Sequence, residues 1–142
     1  MICRAETPQQ KAGLLAYIAR RVGETPQDLV GDMKHEVIGV LKDGKLVGAI
    51  VFLNYRRQSI EFHLAGSPGW MTRGEIRQLF SYVFHQIGCL RLWCIIQRNN
   101  KPSRRGAERL GFKPKTPMED EFGPGKDGIL YSMRRCECKW LK

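Results

Sequence analysis

SIEFHLAGSPGWMTRGEIRQLFSYVFHQIGCLRLWCIIQRNNKPSRRGAERLGF, running from Ser59 to Phe112, decides how the chain is read. Ser59 to Ala65 alternates. Ile60, Phe62 and Leu64 share one side, and Glu61, His63 and Ala65 the other, the period-two pattern of a strand. Gly66-Ser67-Pro68-Gly69 breaks it. Thr72-Arg73-Gly74-Glu75 has the form of a capping box, and Ile76, Leu79, Phe80, Val83 and Ile87 continue at helical spacing to a stop at Gly88. Arg91 to Gln97 is a short continuous apolar run, which predicts a strand buried on both faces with Trp93 in the core. Asn100 caps the next helix, with Pro102 in its first turn and Gly111 just past its end. Strand, crossover helix and strand require a parallel pair. Two parallel neighbours inside an otherwise antiparallel sheet can splay and admit a ligand beyond their carboxyl ends.

Outward from that stretch, Thr7-Pro8-Gln9-Gln10 is a second capping box, followed by Leu14, Leu15, Ile18 and Val22 on one helical face. Thr25-Pro26-Gln27-Asp28 opens a short helix by the same grammar. Val37–Lys42, Asp43-Gly44 and Lys45–Leu53 form a β-hairpin, the Asp-Gly pair supplying a type I′ turn. Lys113 to Asp127 is a loop or irregular strand, and Gly128 to Arg135 a last strand. The fold class is therefore α/β: a mixed, mostly antiparallel sheet with a central splayed parallel pair, flanked by helices.

The 142 residues suit one domain of roughly 100–200 residues, and 42% hydrophobic with 27% charged excludes a disordered chain. The longest apolar run, Val47 to Leu53, falls far short of the about 20 residues of a membrane helix, so no membrane partner is expected. The start, Met1 to Glu6, lacks a signal peptide's basic and apolar regions, which predicts a cytoplasmic protein. Cys89 and Cys94 read as core thiols. Cys136-x-Cys138 is too closely spaced for a zinc knuckle, so no metal is expected. The net charge of +10 points to an anionic partner: nucleic acid, phosphate or an acidic cofactor. The basic residues, however, come as scattered Arg-Arg pairs (Arg20, Arg56, Arg104 and Arg134 with their successors), which favours a solvated basic surface and ranks nucleic acid last.

The turn Pro68-Gly69-Trp70-Met71-Thr72-Arg73-Gly74-Glu75-Ile76 has its own chemistry. A helix N-terminus presents unpaired N–H groups and partial positive charge to an anion, and Gly74 lets a phosphate come close to the backbone. Together with Asn100-x-x-Ser103 and Ala107 to Phe112, the turn resembles the core of the GCN5-related N-acetyltransferases (GNAT). Their pattern is a strand, a turn p-x-y-R/Q-x-x-G-x-G/A, a helix, a buried strand, then N-x-x-A/S and, later, G-F. The resemblance implies that residues 1–142 form a single acyl-CoA N-acyltransferase-like domain. It further implies transfer of an acetyl group from acetyl-CoA to a primary amine, on a small molecule or a protein. Coenzyme A would lie with its pantetheine arm along Leu64, Ala65 and Gly66 and its pyrophosphate on Met71, Thr72, Arg73, Gly74, Glu75 and Ile76. Asn100 and Ser103 would complete the site, with Trp70 either a loop anchor or a lid over the cofactor.

The chain departs from that pattern at Met71, at Ile76 and at Ala107, where the family often carries the tyrosine that protonates the departing thiolate. Glu75 favours the helix dipole but repels a pyrophosphate, and Arg73 and Arg77 flank it in compensation. Glu61 or His63 would be the base, or simply the wet face of a strand. Tyr131 would be a substitute acid, or a residue packed across the sheet. The departures also resemble short phage-encoded members, some of them virion or accessory proteins. That likeness implies the rival reading, a non-catalytic binding or structural protein. Glu119-Asp120-Glu121, if it lines the acceptor cleft, would suit a cationic acceptor; otherwise it is an exposed acidic loop. The oligomeric state stays open, a homodimer included.

Overall fold

The computed structural model describes residues 1–141 and runs β1 (Ile2–Arg4), α1 (Pro8–Val22), α2 (Pro26–Val30), β2 (His35–Lys42), β3 (Lys45–Arg56), β4 (Ser59–Gly66), α3 (Arg73–Ser81), β5 (Arg91–Gln97), α4 (Lys101–Leu110), β6 (Lys113–Met118) and β7 (Gly128–Arg134). The strands form one sheet in the order β1-β2-β3-β4-β5-β7-β6. All pairs are antiparallel except β4–β5, the parallel pair that the crossover helix requires.

Local chemistry places each element where the sequence puts it. Both capping boxes close: Thr7 with Gln10 at α1, Thr72 with Glu75 at α3. Asp43 and Gly44 take φ of 53° and 75°, the positive pair a type I′ turn needs. Alternation along the strands divides the core between the two faces of the sheet. Val37, Ala49, Val51, Leu53 and Ala65 pack on Leu15 and Ile18 of α1 and Leu29 and Val30 of α2. Ile38, Ile50, Phe52, Ile60, Phe62 and Leu92 pack on the opposite face, against Leu79 and Phe80 of α3 and Ala107 of α4. The run from Gly48 to Leu53 is buried throughout because helices cover both sides of β3.

Two expectations change, one of two alternatives is decided, and one strand is added. Strand β5 is not buried on both faces. Leu92 and Cys94 are buried, but Trp93 and Ile95 are half-buried, because α1 and α2 cover β2–β4 and stop short of β5. The helix after Ser81 widens into a π turn over Tyr82–Gln86, within which Val83 and Phe84 are both buried. Lys113–Met118 is a genuine edge strand, with Pro114 and Pro117 where no ladder partner is needed. Strand β1, three residues long, is too short to show a period.

Candidate active site

The β4–β5 pairing covers only Ser59–Glu61 against Arg91–Trp93. Beyond it, β4 follows β3 to Gly66 and β5 follows β7 to Gln97. Each strand stays with its outer partner, so the two diverge, as the crossover geometry predicts. The gap is a cleft of about 480 Å³. Its walls carry His63, Leu64, Ile95 and Gln97 from the strands, Met71 and Ile76 from the head of α3, and Asn100, Ser103 and Ala107 from α4. Val22 and Glu24 reach it from the end of α1, on the other face of the sheet, so the cleft is lined from both faces.

One end is the head of α3. Thr72 Oγ1 accepts from the Glu75 amide at 3.1 Å, Glu75 Oε1 accepts from the Thr72 amide at 2.9 Å, and the Ile76 amide donates to the Thr72 carbonyl at 3.0 Å. Three of the six amides from Met71 to Ile76 are thereby committed. Among the described residues, the amides of Met71, Arg73 and Gly74 take no protein acceptor, at the positive end of the helix dipole. A Cβ on Gly74 would meet only Thr72 Oγ1, at 3.8 Å, so its surface is open. Glu75 Oε2 accepts from the Met1 ammonium at 2.8 Å. That bond, then the Thr72 amide, lowers the carboxyl's pKa and offsets the charge that would repel an anion. Arg109, on the cleft wall, adds a cation from α4.

Trp70 resolves as an anchor that also lines the cleft. Gly48 and Gly66 face each other across β3 and β4, and a Cβ on either would lie 1.9 Å or 2.4 Å from the indole. The two glycines are a notch for the ring. Lys42 Nζ donates to the Gly69 carbonyl at 2.7 Å and holds the turn. Gly48→Val is expected to expel the indole and cost about 1–3 kcal/mol, read as a lower midpoint in urea with red-shifted tryptophan fluorescence. An unchanged midpoint would mean that the ring is not seated there.

On the cleft wall formed by β4, His63 Nε2 lies 2.7 Å from Glu61 Oε2. A carboxylate only accepts, so Nε2 carries a proton, and in the neutral imidazole Nδ1 is the acceptor. Asn54 Nδ2 donates to Glu61 Oε1 at 3.4 Å. Both side chains are largely covered, His63 18% and Glu61 12% exposed, so this is not a wet strand face. Glu24 stands nearby. Burial is the main cause raising its pKa; His63 opposes that rise, and Asp28, Glu121 and Glu61 add to it.

The nominated residues therefore separate. His63, Leu64, Trp70, Met71, Ile76, Asn100 and Ser103 line the cleft, Asn100 Oδ1 also accepting from the Ser103 amide as a cap. Glu61 stands behind His63; Ala65 turns into the α1 core; Gly66 lies under Trp70. Tyr131 is fully buried and away from the cleft walls. Its hydroxyl accepts from Arg104 Nε at 3.0 Å and donates to Glu108 Oε2 at 3.1 Å, bracing α4. Tyr131→Phe is expected to cost about 1 kcal/mol of stability in a urea titration and to leave any catalysed rate unchanged; a fall in kcat would restore it as an acid. Glu119, Asp120 and Glu121 are exposed, with Asp120 Oδ1 accepting from the Gly125 amide; only the adjoining Phe122 lines the cleft. Sequence reasoning missed Glu24, Val22 and Phe122, which follow no motif, and Gly48, whose place inside an apolar strand is the usual sign of close approach. Among the described residues, no group of three His, Cys, Asp or Glu is placed to hold a metal, and no helix is long and apolar enough to cross a membrane.

No family model matches the chain, and no curated protein sequence matches it. Solved structures do. A probable acetyltransferase is 25% identical with a TM-score of 0.61, covering 75% of this chain and 65% of its own, so the chain spans under two thirds of that protein. A GNAT-family protein from Desulfovibrio desulfuricans, assigned as an acetyltransferase, is 18% identical at a TM-score of 0.71, covering 94% and 98%. A mutant of the spermidine N-acetyltransferase SpeG from Vibrio cholerae is 18% identical at 0.69, covering 100% and 96%. The chain has the fold of the GNAT acetyltransferases.

Proposed function

We propose that the protein is an N-acetyltransferase that moves an acetyl group from acetyl-CoA to a primary amine. The observation that carries this reading is the cleft itself: splayed parallel strands, with unpaired amides at the head of α3 on one face and the Glu61–His63 pair at the other. The fit to coenzyme A rests on three features. The free amides of Met71, Arg73 and Gly74 suit a pyrophosphate. The strand edges beyond Glu61 and Trp93 offer backbone groups to the amides of a pantetheine arm. Ala107 on the wall leaves room beside α4.

Acetyl-CoA, when bound, supplies a thioester whose carbonyl carbon accepts the amine nitrogen and whose C–S bond then breaks, leaving the electron pair on sulfur. His63 Nδ1 takes the proton that the amine loses, while Glu61 holds the imidazole through Nε2 and stabilises its charged form. Ala107 offers no proton, and Tyr131 is engaged with Arg104 and Glu108, so solvent returns the proton to sulfur. Rate enhancement then rests chiefly on positioning and on the base. Calorimetric titration with acetyl-CoA and CoA, followed by acetyl transfer to a panel of amines, tests the reading.

Ala107 favours a second reading, a domain that keeps the fold to bind a ligand without turnover. Tight CoA binding with no transfer to any amine would select it.

A further inference from the structure

Glu24 has no role in the steps above, yet its place in the cleft is unusual for this molecule. It follows Gly23, whose φ of 78° ends α1 and turns the chain toward the cleft, where Glu24 lines the wall within electrostatic reach of His63. The chain carries 24 Lys and Arg against 14 Asp and Glu, so cations are plentiful. Glu36, Glu75, Asp127 and Glu137 each have a cationic partner. Among the described residues Glu24 has none, although it is half-buried. His63 and three acids, Asp28, Glu121 and Glu61, act on it electrostatically, and Arg109 is the Lys or Arg that shares the cleft lining, without an ion pair to Glu24. Val22 and Phe122 supply apolar walls beside it, suited to an alkyl chain.

A carboxylate left half-desolvated without a cation, in a chain with ten to spare, either takes up a proton or is matched by a cation from outside. We propose that Glu24 reads a second ammonium group on the acceptor, so that the preferred acceptors are alkyl diamines and longer polyamines rather than monoamines. This rests on the acetyltransferase reading of the cleft. One amino group would lie at His63, ready to lose its proton. The alkyl chain would pass between Val22 and Phe122, and the other ammonium would pair with Glu24, with Asp28 and Glu121 adding to the local negative potential.

The test uses putrescine and butylamine with the full chain and its Glu24→Gln variant, which keeps shape and removes charge. Putrescine binding to the CoA-loaded protein, followed by calorimetry, is expected to weaken about tenfold in the variant, with butylamine unaffected. In turnover the same variant should raise KM for putrescine by a similar factor and leave kcat and the Kd for acetyl-CoA unchanged. Equal affinity of the wild-type protein for the two amines, or a variant that binds putrescine as well as wild type, overturns the inference. Glu24-dependent putrescine binding without acetyl transfer would keep it and remove the catalytic reading instead, so the two fail separately.

Discussion

His63→Ala is expected to lower kcat for acetyl transfer by about 10²–10⁴-fold, the usual value of a positioned general base. The Kd for acetyl-CoA should stay nearly unchanged, because His63 shares its side of β4 with Ala65 on the α1 face of the sheet, whereas α3 and its unpaired amides lie on the opposite face. Coverage sets the size of the effect: with His63 only 18% exposed, a replacement water cannot freely take its place. Glu61→Gln separates orientation from proton transfer. An amide at that position can turn either its oxygen or its nitrogen to Nε2, so the tautomer that leaves Nδ1 basic is no longer enforced. A smaller loss than for His63→Ala follows, together with a shifted pH–rate profile, whereas His63→Ala should delete one ionisation from that profile altogether. Wild-type rates in both variants would remove the assigned roles and leave the fold as described.

The fold was legible because its decisive signals are local. Thr7, Thr72, Asp43-Gly44 and Asn100 state where helices begin and where the hairpin turns, and each takes its expected geometry. The parallel pair followed from a topological rule, since a strand, one crossover helix and a strand leave no other pairing, whereas the order β5-β7-β6 beyond it did not. Trp93 was misplaced because apolar runs report affinity for cover, and cover over β5 depends on how far α1 and α2 extend across the sheet. The π turn at Tyr82 was hidden because one inserted residue leaves the apolar pattern nearly helical.

The site was legible only where it follows a motif. Leu64, Met71, Ile76, Asn100 and Ser103 line the cleft as the pattern of the chain implies. Alternation put Glu61 and His63 on one side of a strand, but their 2.7 Å contact depends on rotamers that no period encodes. Tyr131 shows the converse. The last strand was placed correctly, but the hydroxyl's direction was settled by Arg104 and Glu108 on a helix some two dozen residues earlier, a tertiary fact. Glu24 could not be nominated at all, since its significance is a missing partner, and only a structure shows that.

Gly74→Val should weaken CoA binding by about 1–3 kcal/mol, roughly a tenfold to hundredfold rise in Kd, without a matching loss of stability. Two facts separate the effects. Gly74 has no positive φ, and a Cβ there would meet only Thr72 Oγ1 at 3.8 Å, so an added Cβ strains nothing in the free protein. The amides of Arg73 and Gly74 are nevertheless the first two of α3 and have no acceptor of their own, whereas those of Thr72, Glu75 and Ile76 are already used by the cap and first turn. An anion seated on the amides of Arg73 and Gly74 would meet a branched side chain at Gly74, which lines a second cavity beside Ile38 and Arg77, whereas the Met71 end of the turn lines the cleft. Gly74→Ala should fall between the two, and a urea titration should place all three proteins at similar stability. If the valine variant binds CoA as tightly as wild type, the pyrophosphate does not sit on α3. The basic wall formed by Arg109 would then be the remaining anchor in the cleft, and Arg109→Gln would carry the loss instead.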